Sequence, residues 1–164
     1  MTPSSTPLPV ITVAAVVIVD RAGRLLTVRK SGAVRFMLPG GKPENGESRR
    51  ETALRESREE LSVELFDDDL VELGVFRADA ANEAGHLVEA TVFEHPPVCV
   101  DAPAAEIAEL RWIDIDAPAV LLAPLLADHV LHCYAIGVDS AECVGGRDGL
   151  GPARRDSIAG GDPA

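Results

Sequence analysis

A segment without glycine or proline, Ser48–Leu61, follows an abrupt chain break at Leu38-Pro39-Gly40-Gly41. The segment is rich in Glu, Arg, Leu and Ala, which all favour helices. No other part of the first half of the chain is as strongly helical. Any fold of this chain must therefore place a charged helix shortly after a glycine-rich turn.

Three glutamates, Glu56, Glu59 and Glu60, fall within one narrow sector of this predicted helix. Residues three and four apart are neighbours on a helix surface, so these carboxylates lie side by side. Each pair of like charges costs an exposed helix about 0.2–0.5 kcal/mol. The apolar positions lie on a different face, so the helix has one modest apolar stripe and one acidic face.

The acidic face has two interpretations. Most acidic helix faces are solvated and need no ligand. Alternatively, the turn at Pro39-Gly40-Gly41 can bring backbone carbonyls towards the helix. Carboxylate and carbonyl oxygens together form a site that suits Mg²⁺ or Mn²⁺. The spacing by itself leaves both interpretations open.

The net charge of −12 narrows the range of partners. It argues against broad, sequence-independent binding of nucleic acid, which requires Lys and Arg at the phosphates. It does not argue against a small phosphorylated ligand, because a bound cation can invert the local charge. We therefore expect no nucleic-acid partner.

The rest of the chain alternates strand-like runs and turns. Strands are predicted at Ile11–Val19, Leu25–Arg29, Val71–Arg77, His86–Phe93 and Glu109–Ile113, and a second helix at Ala117–Ile136, bent or restarted at Pro124. The first two strands are expected to form a hairpin. The order of elements predicts an α/β (α+β) fold in which a mixed β-sheet is sandwiched between helices.

Composition predicts the domain limits. A chain of 164 residues suits a single compact domain, which we place at residues 11–136. Residues 1–10 are rich in Pro, Ser and Thr, and residues 137–164 are rich in Gly, Asp, Ser, Arg and Pro. Such segments bury little apolar surface, so both are expected to be flexible tails.

Neither a membrane span nor an export signal is evident. The apolar run Val10–Val19 is too short to cross a bilayer, and it lacks a preceding basic segment and a following cleavage-like site. Cys99, Cys133 and Cys143 show no CxxC spacing and are expected to be reduced thiols. These features predict a cytoplasmic protein without a membrane partner.

The segment that begins at the glycine turn resembles a known family motif. Gly41 is followed after five residues by Glu47 and after seven more by Arg55-Glu56-Ser57-Arg58-Glu59-Glu60-Leu61-Ser62-Val63. This pattern is similar to the Nudix box, and every charged position matches. Ser57 stands where the family usually has an apolar residue, and Ser62 stands where it usually has glycine.

The resemblance implies a Nudix-like fold and a metal-dependent pyrophosphohydrolase. Its implied metal ligands for Mg²⁺, or alternatively Mn²⁺, are Gly40 through its carbonyl, Glu47, Glu56, Glu59 and Glu60. Its implied catalytic residues are Glu56, Arg55 and Glu59. Glu56 binds metal or takes the proton of the attacking water, and Arg55 holds Glu56 in position.

The resemblance also implies a small nucleotide substrate. Gly41 and Lys42 are expected at the phosphates. Phe36 and Trp112 are candidates for stacking on the base, although core packing is the favoured role for each. Family subgroups that act on ADP-ribose or on dinucleoside polyphosphates carry a downstream Pro or Tyr. The stretch Val75–Ala81 has neither. The absent markers and the short single domain favour a nucleoside triphosphate.

Several alternatives stay open. The substrate could be ADP-ribose or another nucleoside diphosphate derivative. The chain could also be a catalytically silent binding module with the same fold, or an acidic partner-binding domain that needs no metal. A monomer and a homodimer are both compatible with the sequence.

Overall fold

The computed structural model describes residues 7–104 and 106–136. It is a mixed α+β structure whose six strands are β1 (Val10–Ile18), β2 (Arg24–Lys30), β3 (Gly40–Gly41), β4 (Val71–Asp79), β5 (Leu87–His95) and β6 (Ile107–Asp114). Each strand predicted from the sequence is present, with ends that differ by at most two residues. The predicted tail at residues 137–164 and most of the predicted tail at residues 1–10 lie outside the described residues.

The strands form a four-stranded sheet in the order β3-β1-β5-β4 and a two-stranded sheet of β2 and β6. Strands β1 and β5 are parallel, whereas β3 and β4 are antiparallel to their neighbours. The larger sheet is therefore mixed, as predicted. Because β1 lies between β3 and β5, its backbone hydrogen bonds are used on both edges.

The predicted β1–β2 hairpin is only partly correct. The Asp20 carboxylate accepts hydrogen bonds from the backbone N–H groups of Ala22 and Arg24, and a single antiparallel bridge joins Val19 to Leu25. Beyond this turn the two strands separate, and β2 pairs with β6 instead. The sequence indicated the turn, but it did not indicate that β3 and β5 would occupy the two edges of β1.

Helix α1 (Arg49–Leu61) begins with a complete capping box. The Ser48 hydroxyl accepts a hydrogen bond from the Glu51 backbone N–H at 3.2 Å, and the Glu51 carboxylate accepts one from the Ser48 N–H at 2.8 Å. These contacts satisfy two donors that the first turn of a helix otherwise leaves unpaired. The start of α1, and with it the position of its carboxylates, is thus defined locally.

Helix α1 ends at Ser62, which adopts a left-handed conformation with φ 55° and ψ 30°. Its backbone N–H donates to the Arg58 carbonyl at 3.1 Å. This is the geometry in which helices usually carry glycine, since a side chain is strained there.

Ser62→Gly is therefore expected to stabilise the protein by up to about 1 kcal/mol, because glycine removes the left-handed strain. Chemical denaturation measures the change in the free energy of unfolding. Ser48→Gly is a useful contrast, since it introduces the same residue at the other end of α1 and removes a capping hydroxyl. A Ser62→Gly variant no more stable than the parent would contradict the strain at this position.

The larger sheet is packed between helices on both faces. On one face, Ala14, Val16 and Ile18 of β1 contact a core that includes Ala53 and Leu61 of α1. On the other face, Ala15 and Val17 belong to a core with the C-terminal helical segment, through Leu125, Leu126, Val130 and Leu131. Alternate residues of a strand point to opposite faces, so β1 is buried on both. This explains its uninterrupted apolar sequence.

The C-terminal helical segment is shorter than predicted. It comprises a π-helical turn, Leu125–Val130, and α2 (Leu131–Ile136), and Pro124 caps its start. Residues 117–123 are not helical. Instead, the Leu122 carbonyl accepts a hydrogen bond from Arg35 at 2.8 Å, and Leu122 bridges to Phe36. A proline lacks a backbone donor and fits the start of a helix better than its interior, which explains the late start.

The cysteine prediction requires one correction. Cys99 is an exposed free thiol, as expected, but Cys133 is disulfide-bonded. Spacing in sequence does not reveal which sulfur atoms approach within bonding distance, so the prediction could not distinguish these cases. The cysteines therefore no longer indicate a reducing compartment. None of the helices in the described part of the chain has the length and apolar character needed to cross a membrane.

Candidate active site

Two glycines place the turn before α1 against the central strand. Gly40 and Gly41 form β3 and pair with Ala15 and Ala14 of β1. A Cβ atom on Gly40 would lie 2.2 Å from the Ala14 carbonyl oxygen, and Gly40 has φ 152°. Only a residue without a side chain permits this approach. The glycine pair therefore fixes the backbone of the turn next to α1.

Glu60 of α1 joins this turn from a buried position. Its Oε2 atom accepts a hydrogen bond from the Gly40 backbone N–H at 2.9 Å, and its Oε1 atom lies 2.7 Å from Nζ of Lys30. Burial raises the pKa of the Glu60 carboxyl, and the Lys30 ammonium opposes that rise. Burial alone would lower the pKa of Lys30, but the surrounding carboxylates hold it above its ordinary value. Lys30 is therefore a charged counter-ion.

Arg55 collects the other acidic side chains. Its guanidinium donates to both carboxylate oxygens of Glu47, at 2.8 and 3.0 Å, and to Glu56 and Glu59, each at 3.0 Å. It also donates to the Lys42 carbonyl at 3.0 Å. A planar fork of five donors suits several oxygen partners at once. Arg55 thus holds three carboxylates and the glycine turn in one arrangement.

Glu47 braces this arrangement from the loop side. Its carboxylate accepts hydrogen bonds from Arg55, from the Thr52 hydroxyl at 2.9 Å and from the Glu44 backbone N–H at 2.9 Å. The Arg55 guanidinium and these other donors lower the pKa of Glu47 to about 2. Glu47 is therefore ionised over the neutral range, and its oxygens are engaged in holding Arg55 and the loop.

Glu56 lies directly over Gly41. A Cβ atom on Gly41 would be only 2.2 Å from Oε1 of Glu56. Gly41 therefore leaves room for a carboxylate, whereas Gly40 leaves room for a backbone contact. The three glutamates of the acidic face differ in burial. Glu60 is buried, the Glu56 side chain is mostly covered, and Glu59 is largely exposed.

A cavity of about 460 Å³ opens beside these groups. Its polar wall includes Gly40, Gly41, Lys42, Arg55, Glu56, Glu59, Lys30, Glu44 and Glu106. Its apolar wall includes Ile11 and Val13 of β1, Val88 and Ala90 of β5, and Leu125 and Leu126. The volume lies within the usual range for small-ligand sites, roughly 300–1,000 Å³.

The structure brings most of the predicted site residues together. Gly40, Gly41, Lys42, Arg55, Glu56 and Glu59 line the cavity, and Glu47 and Glu60 support it from behind. Phe36 and Trp112 do not line it. Phe36 is buried in the core beneath the guanidinium groups of Arg29 and Arg111, and Trp112 packs against the core on the α1 side. No aromatic residue is found among the described residues of the cavity wall.

Trp112→Ala is accordingly expected to lower the free energy of unfolding and to leave KM within about twofold, because the side chain packs against core residues away from the cavity. The loss should stay below the about 3–5 kcal/mol typical of a fully buried aromatic, since Trp112 is only half-buried. A melting curve and a kinetic titration separate the two effects. A large rise in KM at unchanged stability would instead indicate that Trp112 contacts the substrate.

Lys30 and Glu106 are among the cavity residues that were not predicted from the sequence. Lys30 ends β2, where the register with β6 shifts after Arg29, and such irregularities redirect side chains. Glu106 immediately precedes β6, and its carbonyl accepts a hydrogen bond from the Ser31 backbone N–H at 3.0 Å. Both positions depend on the pairing of β2 with β6. Only the basic pair Arg29-Lys30 at a strand end offered a signal in the sequence.

The carboxylates are engaged by protein cations. Within the described residues, no three His, Cys, Asp or Glu side chains are already gathered as ligands of one metal. Glu56 and Glu59 bind Arg55, and Glu60 binds Lys30. The carboxylate oxygens that could bind a metal are therefore close together, but guanidinium and ammonium groups already engage some of them.

The model of the NUDIX domain matches residues 9–132, which is most of the chain. No curated protein matches the sequence.

Solved structures share the fold. The MutT protein from Methanosarcina mazei Go1 is 22% identical with a TM-score of 0.65, covering 80% of this chain and 96% of its own. A NUDIX hydrolase from Nitrosomonas europaea is 24% identical with a TM-score of 0.61, covering 80% and 90%. A UDP-X diphosphatase is 23% identical with a TM-score of 0.60, covering 83% and 68%. At these identities the similarity concerns the fold.

Proposed function

The chain belongs to the Nudix family, and on that premise we propose that it hydrolyses a pyrophosphate bond in a nucleoside triphosphate with the help of Mg²⁺. The products are a nucleoside monophosphate and pyrophosphate, and oxidised triphosphates are included among the substrates. The observation that carries the proposal is the set of carboxylates Glu56, Glu59 and Glu60, held around Gly40 beside a cavity large enough for a nucleotide.

The donor atoms at this place fit a hard divalent cation. Carboxylate oxygens and the Gly40 carbonyl are the ligands that Mg²⁺ and Mn²⁺ prefer. The buried Glu60 carboxylate already requires a positive partner, which Lys30 supplies. Gly40, Glu56, Glu59 and Glu60 would hold the metal, and Glu47 supports them through Arg55. When bound, the metal neutralises diphosphate charge and makes a bound water more acidic.

Protein side chains would carry out the other steps of the hydrolysis. Arg55 orients Glu56 through a charge-assisted hydrogen bond at 3.0 Å. Glu56 is placed either to bind metal or to take the proton of the attacking water. Water then adds to phosphorus and gives its proton to Glu56 or to another carboxylate of the site, while the bridging P–O bond breaks and the leaving pyrophosphate takes the electron pair of that bond. Lys42, which lines the same cavity, is positioned to meet a phosphate.

Two features support a triphosphate as the substrate. Val75–Ala81 lacks the Pro and Tyr that mark other subgroups. The aliphatic wall formed by β1 and β5 suits a flat, partly apolar base packed by its faces. A UDP-X diphosphatase shares this fold, so the fold by itself is compatible with more than one substrate class.

Two alternatives retain specific support. Hydrolysis of ADP-ribose or another nucleoside diphosphate derivative is favoured by the similarity in fold to a UDP-X diphosphatase. A catalytically silent binding module is favoured by the carboxylates that Arg55 and Lys30 already engage. The intact set of charged box residues argues against the silent module.

A substrate panel distinguishes these functions. Purified protein is incubated with nucleoside triphosphates, oxidised triphosphates, ADP-ribose, nucleotide sugars and dinucleoside polyphosphates, first with Mg²⁺ and then with EDTA. We expect Mg²⁺-dependent release of monophosphate and pyrophosphate, resolved by chromatography. A kcat/KM for ADP-ribose or a nucleotide sugar well above that for every triphosphate would overturn the substrate, and no hydrolysis with tight nucleotide binding would favour the silent module.

Further proposals concern the state of the protein. We propose a single catalytic domain at residues 11–136 that acts in the cytoplasm as a monomer or homodimer. Light scattering after size-exclusion chromatography determines the oligomeric state. Limited proteolysis tests the domain limits, since exposed tails are cleaved before packed elements.

A further inference from the structure

Lys30 contacts two of the proposed metal ligands at once. Its Nζ atom lies 2.7 Å from Oε1 of Glu60 and donates a hydrogen bond to the Gly40 carbonyl oxygen at 3.1 Å. These are the oxygen atoms of the turn and of the buried helix position that a divalent cation would use. The ammonium therefore already supplies positive charge at this end of the acidic site.

We propose that Lys30 is a built-in competitor of the divalent metal, which binds fully only when the Lys30 ammonium leaves Glu60 and Gly40. The inference rests on the proposed function, since it takes Gly40 and Glu60 as metal ligands. In the metal-free protein Lys30 neutralises a carboxylate that is buried, and metal binding exchanges this single charge for a double one.

The contacts show which partner can move. Glu60 is only 2% exposed, and its Oε2 atom is held by the Gly40 N–H. The Lys30 side chain is 31% exposed, lines the cavity and ends a flexible four-carbon stem. A metal therefore meets a fixed carboxylate and a movable ammonium, so displacement of Lys30 requires no change in the backbone.

The cavity offers a displaced ammonium other partners. The carboxylates of Glu56 and Glu106 attract Lys30 in addition to Glu60. Glu106 lines the cavity but does not belong to the proposed metal ligands. Movement of Lys30 towards the open cavity therefore keeps its charge near a carboxylate while it frees the oxygen atoms of Glu60 and Gly40.

The test measures Mn²⁺ binding without nucleotide. The dissociation constant is determined by the electron paramagnetic resonance signal of free Mn²⁺ for the wild type, Lys30→Met and Lys30→Gln, all at the same pH and ionic strength. Lys42→Met is the matched control: it removes the same charge from the same cavity, and only the backbone carbonyl of Lys42 contacts Arg55. Lys30→Gln retains a hydrogen-bond donor for Glu60 and guards against misfolding.

Removal of Lys30 is expected to tighten Mn²⁺ binding roughly tenfold, because a partly buried ion pair no longer competes. Lys42→Met should change it much less, through the general field alone. The melting temperature supplies a second readout: without metal the Lys30 variants should melt below the wild type, and Mn²⁺ should raise their melting temperature more. A purely structural Lys30 would lower stability and leave the Mn²⁺ affinity unchanged.

The outcomes separate the inference from the proposed function. Mn²⁺ affinity that is equal or weaker in both Lys30 variants, or equally tightened in Lys42→Met, overturns competition by Lys30 and leaves the enzyme class standing. Absence of Mn²⁺ binding in the wild type and in every variant overturns the metal site, and the proposed function with it. Tightening confined to the two Lys30 variants supports the inference.

Discussion

Replacement of Glu56 by glutamine is expected to lower kcat by at least about 10²-fold, the lower end of general-base effects. Glutamine keeps the size of the side chain but neither accepts a proton nor binds a divalent cation strongly. Glu56 lines the cavity, and its Oε1 atom accepts a hydrogen bond from Arg55 at 3.0 Å. An amide can accept the same bond through its oxygen, so the arrangement around Arg55 should survive.

The measurement requires both turnover and stability. Steady-state kinetics with the best substrate of the panel gives kcat, and a melting curve confirms that the variant is folded. Glu64→Gln is the matched control, because Glu64 follows α1 and pairs at the surface with Arg58 at 3.0 Å. It should retain full activity. Near-wild-type turnover by Glu56→Gln would remove Glu56 from the mechanism and leave Glu59 or Glu60 as the candidate base.

Gly40→Ala is expected to cost about 3 kcal/mol of unfolding free energy and to abolish activity, since overpacking and backbone strain each contribute about 1–3 kcal/mol. The new Cβ atom would lie 2.2 Å from the Ala14 carbonyl oxygen and 2.7 Å from the Ala15 Cα atom. Both contacts are with backbone, which cannot rotate away. The β3–β1 pairing and the Gly40 N–H bond to Glu60 would be disturbed together.

Gly46→Ala provides the comparison for conformational strain alone. Gly46 also has a positive φ, 82°, but a Cβ atom there would meet nothing within 4 Å. Its cost should be about 1 kcal/mol. Chemical denaturation of both variants gives the difference. If Gly40→Ala costs no more than Gly46→Ala, close contact with β1 does not explain the first glycine of the turn.

The local parts of the site were predictable. The helix at Ser48–Leu61, its acidic face and its end at Ser62, where the family usually has glycine, all depend on residues within a few positions of one another. Helix geometry places Glu56, Glu59 and Glu60 together whatever the rest of the chain does. The match of the NUDIX domain model to residues 9–132 agrees with the family resemblance of this segment.

Predictions that depended on distant partners were less successful. The turn between the first two strands was legible, yet β2 pairs with β6 because β1 is occupied on both edges. Phe36 and Trp112 pack against core residues, the role favoured for both from the sequence, but the aliphatic cavity wall formed by β1 and β5 was not predicted. Periodicity predicts that a residue is buried, but not which of two cores it enters.

The sequence by itself determined the charged helix, the glycine turn before it and the family, because local propensities and fixed spacings encode them. The tertiary structure decided which cations meet Glu47 and Glu60. Arg55 reaches Glu47 across the loop, whereas Lys30 reaches Glu60 only because β2 ends beside the turn held on β1. An ion pair between distant residues depends on strand order and register, and neither is written in the spacing of charges along the chain.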